Sequence, residues 1–436
     1  MTRKKAMATT IVVVLVLLGV AACAAAWRPA IEETQSPPPA DSFDQATLAR
    51  GMQVAAIGDC TSCHTAPHGK PFAGGLPIGT PFGTIYSTNI TPDPDTGIGK
   101  WSLEAFTRAM RRGVSRDGHL LYPAFPYPHF THMSDDDIKA VYAYMMTRDP
   151  VHAEPPANSL RFPFGFRPLV AGWNLLFLRD GDLPAAPSPE LAQDAQWLRG
   201  RYLVEGAGHC ASCHTPMNAF GAEKTDQAFA GGFIDGWDVP PLNALSRTPR
   251  PWTAAQLSSY LRTGLASEHG AAAGPMLPVT RQLADLPEAD AQAIAAYLLS
   301  LDPHAGAAPA PQPAAADAEA GADQGSLQRG ATLFTAACAS CHAEHAPMAA
   351  IGGRPSLALS TAVNADSPRN VIHLILGGIP FEGSNSAHYM PPFSTMLTDG
   401  QIADVATYLR VRVAGRPAWN GLQDTVAGIR KEGQSQ

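Results

Sequence analysis

Three pentapeptides hold the residues best suited to chemistry: Cys60-Thr61-Ser62-Cys63-His64, Cys210-Ala211-Ser212-Cys213-His214 and Cys338-Ala339-Ser340-Cys341-His342. Together they use six of the seven cysteines. Two thiols at i and i+3 project from one side of a helical turn, and a histidine follows at once. C-x-x-C-H is the attachment pattern of c-type haem, in which the thiols add to the two vinyl groups and the histidine becomes the proximal iron ligand. A thioredoxin-like dithiol does not require the histidine. A zinc site would need a fourth ligand beside each copy, and no second C-x-x-C lies nearby. The expected cofactors are therefore three c-type haems.

An electron-transfer haem usually takes a second axial ligand, often methionine, which raises its potential. Met390 lies eighteen residues before Tyr408, in Met-Pro-Pro-Phe, and Met276 lies twenty-one before Tyr297, in Met-Leu-Pro. Both are read as distal ligands carried on extended, proline-bearing loops, against the alternative of ordinary core methionines. The first copy departs from this pattern. Phe125, nineteen residues before Tyr144, stands in the matching place and cannot ligate iron. The candidates there are Met133, which sits directly against a helix cap, and His129, with His119 and His132 as further histidines.

These groups must be held by a repeated scaffold. An Arg-Gly pair precedes each motif by about ten residues, at Arg50-Gly51, Arg199-Gly200 and Arg329-Gly330. Each unit closes on an amphipathic helix marked by Tyr144, Tyr297 or Tyr408. Ser134 and Thr398 are the expected N-caps of the first and third closing helices, and Pro287 opens the second. The glycine of the opening helix would let the two helices cross closely.

The repeat places cytochrome c-like domains at 42–150, 191–303 and 325–415. A proline- and aromatic-rich connection (151–190), an Ala/Pro linker (304–324) and a short polar tail (416–436) complete the chain. The fold class is mainly α, with three tandem class I cytochrome c-like domains behind an N-terminal membrane anchor or signal (1–41). Arg3, Lys4 and Lys5 precede an apolar run long enough to span a bilayer, and Glu32 and Glu33 follow it. An uncleaved anchor, a cleaved signal and a lipoprotein site at Cys23 all export the rest of the chain. The expected location is the periplasmic side of the inner membrane.

The chain has 436 residues and a net charge of −7, which argues against nucleic acid as a partner. Residues 162–178 are apolar but broken by Arg167 and prolines. They are too short to span, and suit either an interfacial or partner-facing segment or packing between domains. Asp93–Gly97 is read as a turn rather than a calcium loop, and the Asn89 sequon as incidental. No nucleotide fingerprint, zincin motif or nucleophile elbow is present.

With these motifs laid out, residues 42–415 resemble the triheme membrane-bound cytochrome c subunits of bacterial periplasmic dehydrogenases. "GDCTSCHTAPHGKPFAGGLPIGTPFGTIYSTNITPD" (58–93) and "DGHLLYPAFPYPHF" (117–130) look specific to this family, which includes the cytochrome subunits of quinoprotein alcohol and flavin-dependent gluconate dehydrogenases. "FIDGWDVPPLNALS" (233–246), "HGAAAGPMLPV" (269–279) and "RPSLALST" (354–361) look closer to the branch serving molybdenum hydroxylases acting on nicotinate, isoquinoline or aldehydes. The resemblance implies a subunit that is not catalytic alone. It would carry electrons from a dehydrogenase catalytic subunit to membrane ubiquinone or a terminal oxidase. It supports the three C-x-x-C-H sites with Met276 and Met390 as distal ligands. Alcohol-dehydrogenase-type members carry methionine where this chain has Phe125. A peroxidase with an open first haem and a sensing module are the competing functions.

Overall fold

The computed structural model describes residues 27–302, 318–319, 321–343, 345–346, 354–380 and 389–434, with Met7, Thr9, Thr10, Val13 and Gly19 of the N-terminal segment. Most of the N-terminal apolar run, including Cys23, and most of the Ala/Pro linker lie outside the described residues. Among the described residues no helix is long and apolar enough to cross a membrane. The chain divides into two compact units. One is formed by residues 1–186 with 202–209 and 218–222, the other by 187–201, 210–217 and 223–436.

In the first unit, α1 (Gln45–Ile57) is opened by Asp44, whose carboxylate accepts from Thr47 N. It leads into the turn that carries Cys60–Cys63. A hairpin of β1 (Pro77–Thr80) and β2 (Gly83–Tyr86) follows. After it come α2 (Leu103–Arg112), which ends on the left-handed Gly113, and α3 (Asp135–Met146). Ser134 caps α3 as expected, with its hydroxyl accepting from Asp137 N. Helices α1 and α3 cross at Gly51, where a Cβ would stand 2.0 Å from Ala140 O.

The connection after α3 is more ordered than its composition suggests. β3 (Ser159–Leu160) joins the hairpin through β2, and α4 (Leu169–Phe177) forms from a largely apolar run beyond Pro168. Val170 packs with Val114 and Leu120, while Leu175 is 82% and Phe162 97% exposed. Trp173 Nε1 donates to Phe220 O. Asn89 is buried and bonds Thr91, Thr96 and Val151, and Asp93 caps its own turn through Thr96. Both side chains are taken up by these local hydrogen bonds.

In the second unit, α5 (Ala195–Arg201) crosses α8 (Glu288–Ser300) at Gly200, which lies 2.0 Å from Ala293 O by the same measure. Between them stand the hairpin β4 (Gly232–Ile234) and β5 (Trp237–Val239), α6 (Ala254–Thr263), the ribbon β6 (Leu265–Ala266) and β7 (Gly270–Ala271), and α7 (Met276–Gln282). The third repeat uses α9 (Gln324–Ala337), α10 (Arg369–Gly377) and α11 (Asp399–Tyr408), crossing at Gly330. Thr398 and Gln401 close a capping box on α11.

The polar tail is a correction. Leu422–Gln434 form α12, and Leu422, Val426 and Ile429 sit in the core with Ile372, Ile402 and Val405. Three apolar residues at helical spacing are enough to dock a helix whose other positions are charged or small.

Candidate haem sites

Each C-x-x-C-H motif forms a single helical turn, so both sulfurs leave the same side of the backbone. The histidine is then aimed by a second element. His64 Nδ1 donates to Thr88 O at 2.7 Å, just past β2, and His214 Nδ1 donates to Pro240 O at 2.8 Å, just past β5. The equivalent hairpins of the first two repeats thus each supply a carbonyl that fixes the tautomer and frees Nε2 for a metal. His342 Nδ1 is buried with no partner among the described residues.

The loop between motif and hairpin is also duplicated. Gly74 N donates to His64 O and Gly231 N to His214 O, while Thr65 and Thr215 hydroxyls accept from Phe72 N and Phe229 N. Phe72 and Phe229 both adopt positive φ, at 63° and 58°. No sequence signal marked these phenylalanines.

Electrostatics separate the readings left by the sequence. Burial pushes the Cys60 and Cys210 thiols up to about 12 and the Cys338 thiol to about 11. Thiols held so firmly protonated are unlike the low-pKa pairs of dithiol redox enzymes. Burial also lowers the pKa of His64, His214 and His342, which keeps the imidazoles neutral as iron ligation requires. Among the described residues no group of three or more His, Cys, Asp or Glu is arranged to hold a metal ion. Paired thiols with an oriented neutral histidine do fit c-type haem.

On the other side, the structure supports the correspondence of Phe125 with Met276. Helices α2 and α6 both end on a left-handed glycine, Gly113 and Gly264. Leu121 N returns to Gly113 O at 2.7 Å, and Ala272 N returns to Gly264 O at 2.8 Å. Four residues beyond each lie Phe125 and Met276. Met276 opens α7 behind Pro275 rather than lying in an extended loop. Met390 is in extended backbone, paired with Ile379 immediately after Gly378 at the end of α10.

Of the two candidates in the first repeat, Met133 is buried directly before the Ser134 cap, and its carbonyl accepts from Arg111. His129 Nδ1 is bonded to Glu205 O at 2.9 Å, which leaves Nε2 directed elsewhere. His119 pairs with Asp117, and His132 Nδ1 bonds Gly181 O.

The family described as "Cytochrome c" matches residues 48–149 and 198–302. That described as "Cytochrome C oxidase, cbb3-type, subunit III" matches 325–409. A nicotinate dehydrogenase subunit of Pseudomonas putida is 49% identical over 95% of this chain, which spans only 34% of that protein. The gluconate 2-dehydrogenase cytochrome c subunit of Pantoea cypripedii is 38% identical, covering 90% of this chain and 91% of its own. The quinone-type alcohol dehydrogenase cytochrome c subunit of Gluconobacter oxydans is 36% identical, covering 85% and 79%. With cytochrome c repeats and likeness along nearly the whole chain, this protein belongs to the family of cytochrome c subunits of dehydrogenases.

Proposed function

We propose that the chain binds three c-type haems and relays electrons from a dehydrogenase catalytic subunit to membrane ubiquinone or a terminal oxidase. Cys60 and Cys63, Cys210 and Cys213, and Cys338 and Cys341 would anchor the haems, with His64, His214 and His342 as proximal ligands. Met276 and Met390 would be the distal ligands of the second and third, and Met133 or His129 that of the first. When bound, each haem supplies a one-electron carrier. The protein's part is to hold the histidines neutral by burial, and oriented through Thr88 O and Pro240 O in the first two repeats. That orientation, repeated on matching hairpins, is the observation that carries the reading.

The 49% identity to a nicotinate dehydrogenase subunit favours a partner of the molybdenum hydroxylase type over a quinoprotein or flavoprotein dehydrogenase. Placement on the periplasmic face of the inner membrane is supported by an apolar surface in the first unit. Phe162, Phe166, Leu175, Leu176 and Phe220 are exposed there. The 114–122 loop contacts this region through Arg167 and Tyr122, and it also contacts residues 28–31, directly after the N-terminal apolar run.

The test is detergent extraction of tagged protein from its native membrane, mass spectrometry of its companions, and haem absorption on adding substrate. Reduction of the haems by nicotinate or a related N-heterocycle in a complex with a hydroxylase supports the proposal. A complex with a quinoprotein or flavoprotein changes the partner, and a complex that reduces no acceptor overturns the relay. Peroxide turnover with a high-spin signal would favour a peroxidase instead.

A further inference from the structure

The second and third repeats meet inside one compact unit, and their contact is specific. Hairpin β4–β5 lies across one face of α10. The Trp237 indole stacks on His373 with ring centroids 4.6 Å apart and planes inclined by 20°. Gly236 O accepts from Arg369 Nε at 2.8 Å and from His373 Nε2 at 2.9 Å. Asp238 and Asn370 exchange two further hydrogen bonds, at 3.0 and 2.7 Å. Arg369, Asn370 and His373 stand at i, i+1 and i+4, so one side of the helix is committed to this hairpin.

Both ends of the clamp lead to candidate ligands. β5 runs into Pro240, whose carbonyl holds His214. The Trp237 ring also covers the backbone two residues before Met276, because a Cβ on Gly274 would come within 2.3 Å of it. α10 runs through Gly378 to Ile379, which pairs with Met390. Ala272, Leu277 and Ile379 form a small buried cluster, and both Met276 and Met390 pack against it. The two methionines therefore share one apolar cluster, with Tyr260 beside them.

We propose that electrons pass between the second and third haem sites across this methionine cluster, and that Trp237 is the positioning residue that holds it. This rests on the assignment of Met276 and Met390 as distal ligands. The transfer is one electron from a ferrous to a ferric site, with no bond made and no proton moved. Packing sets its rate, because electron transfer slows steeply as the two sites move apart.

The experiment uses the full-length haem-loaded chain and the variants W237L, W237F and H373L. Two quantities are read: methionine-to-iron absorption of the oxidised protein, and the rate of internal electron equilibration after flash photoreduction. W237L is expected to keep its haem content and slow equilibration several-fold, with W237F restoring most of the rate. If W237L fails to load haem, H373L, which removes the other half of the stack, carries the same expectation. Unchanged equilibration in the loaded variants, with methionine absorption intact, overturns the proposal. Absence of methionine absorption from the wild-type chain instead removes the ligand assignment beneath it.

Discussion

Gly51 lies under the carbonyl of Ala140 so closely that a Cβ would stand 2.0 Å from the oxygen. The same relation joins Gly200 to Ala293 and Gly330 to Asp404, and in each repeat the closing tyrosine's Cβ is within 3 Å of the same point. Alanine at any of the three must push two helices apart. G200A is expected to destabilise its repeat by about 1–3 kcal/mol, the usual cost of overpacking. Thermal denaturation followed by circular dichroism reads it, and an unchanged midpoint would mean that the crossing tolerates a methyl group.

The arginine before each glycine carries a second regularity. Arg50 bonds Asp137, Arg199 bonds both oxygens of Asp290 at 2.8 Å, and Arg329 bonds both oxygens of Asp404 at 2.7 and 3.0 Å. Counted back from the tyrosine, Asp404 lies one turn later than Asp137 and Asp290, and Gln401 takes their place. Asp404 is buried and also accepts from Ser326, so D404N removes the charge that assists the bonds from both Arg329 and Ser326. A loss of about 1–3 kcal/mol is expected. R329K should lose a smaller part, since a lysine keeps the charge but cannot reach both oxygens with a planar fork. Denaturant unfolding of the two variants checks this order.

The repeat, its glycine crossing, its tyrosine register and its caps were legible because each is a local pattern with a fixed spacing. Ser134 and Thr398 cap where their spacing places them. The hairpins that aim His64 and His214 were not legible. Their working atoms are backbone carbonyls of Thr88 and Pro240, which no side chain announces. Helix α12 was missed for the opposite reason. Three apolar residues among charged ones read as a solvated tail until Ile372 and Ile402 supply the surface that covers them. The Trp237–His373 stack joins residues far apart in sequence, and only the packing of two repeats brings it into view.

His269 gives the second repeat a pH dependence. Its imidazole stacks on Trp252 with centroids 3.6 Å apart, Nδ1 is buried without a partner, and Nε2 meets only Gln256 at 3.3 Å. Burial lowers its pKa to about 4, against a smaller opposing effect from Glu268. An unfolded chain would protonate it near the ordinary value of about 6.5. Between those values the unfolded state binds more protons than the folded one, so stability is full above about 6.5 and falls as the pH drops toward 4. H269Q should flatten this part of the profile. Melting temperatures of wild-type and H269Q protein across that window decide it, and parallel profiles would place the acid sensitivity elsewhere.

The distal ligands yield the sharpest spectroscopic expectation. M276L and M390L should each remove a share of the methionine-to-iron absorption, and the double variant should remove the signal of both sites. Histidine at either position should instead keep the site low-spin and lower its potential. In the first repeat, either M133L or H129L is expected to turn one haem high-spin while the other leaves it unchanged. Phe125 occupies the place of Met276, four residues past the same glycine return, so F125M offers a thioether where the second repeat has one. Should His129 be the native ligand, F125M with H129L raises the first potential; should Met133 be native, F125M with M133L restores a methionine-ligated spectrum. Redox titration of these variants reads both results. Failure of every single substitution to change the first haem's spin state would exclude both Met133 and His129.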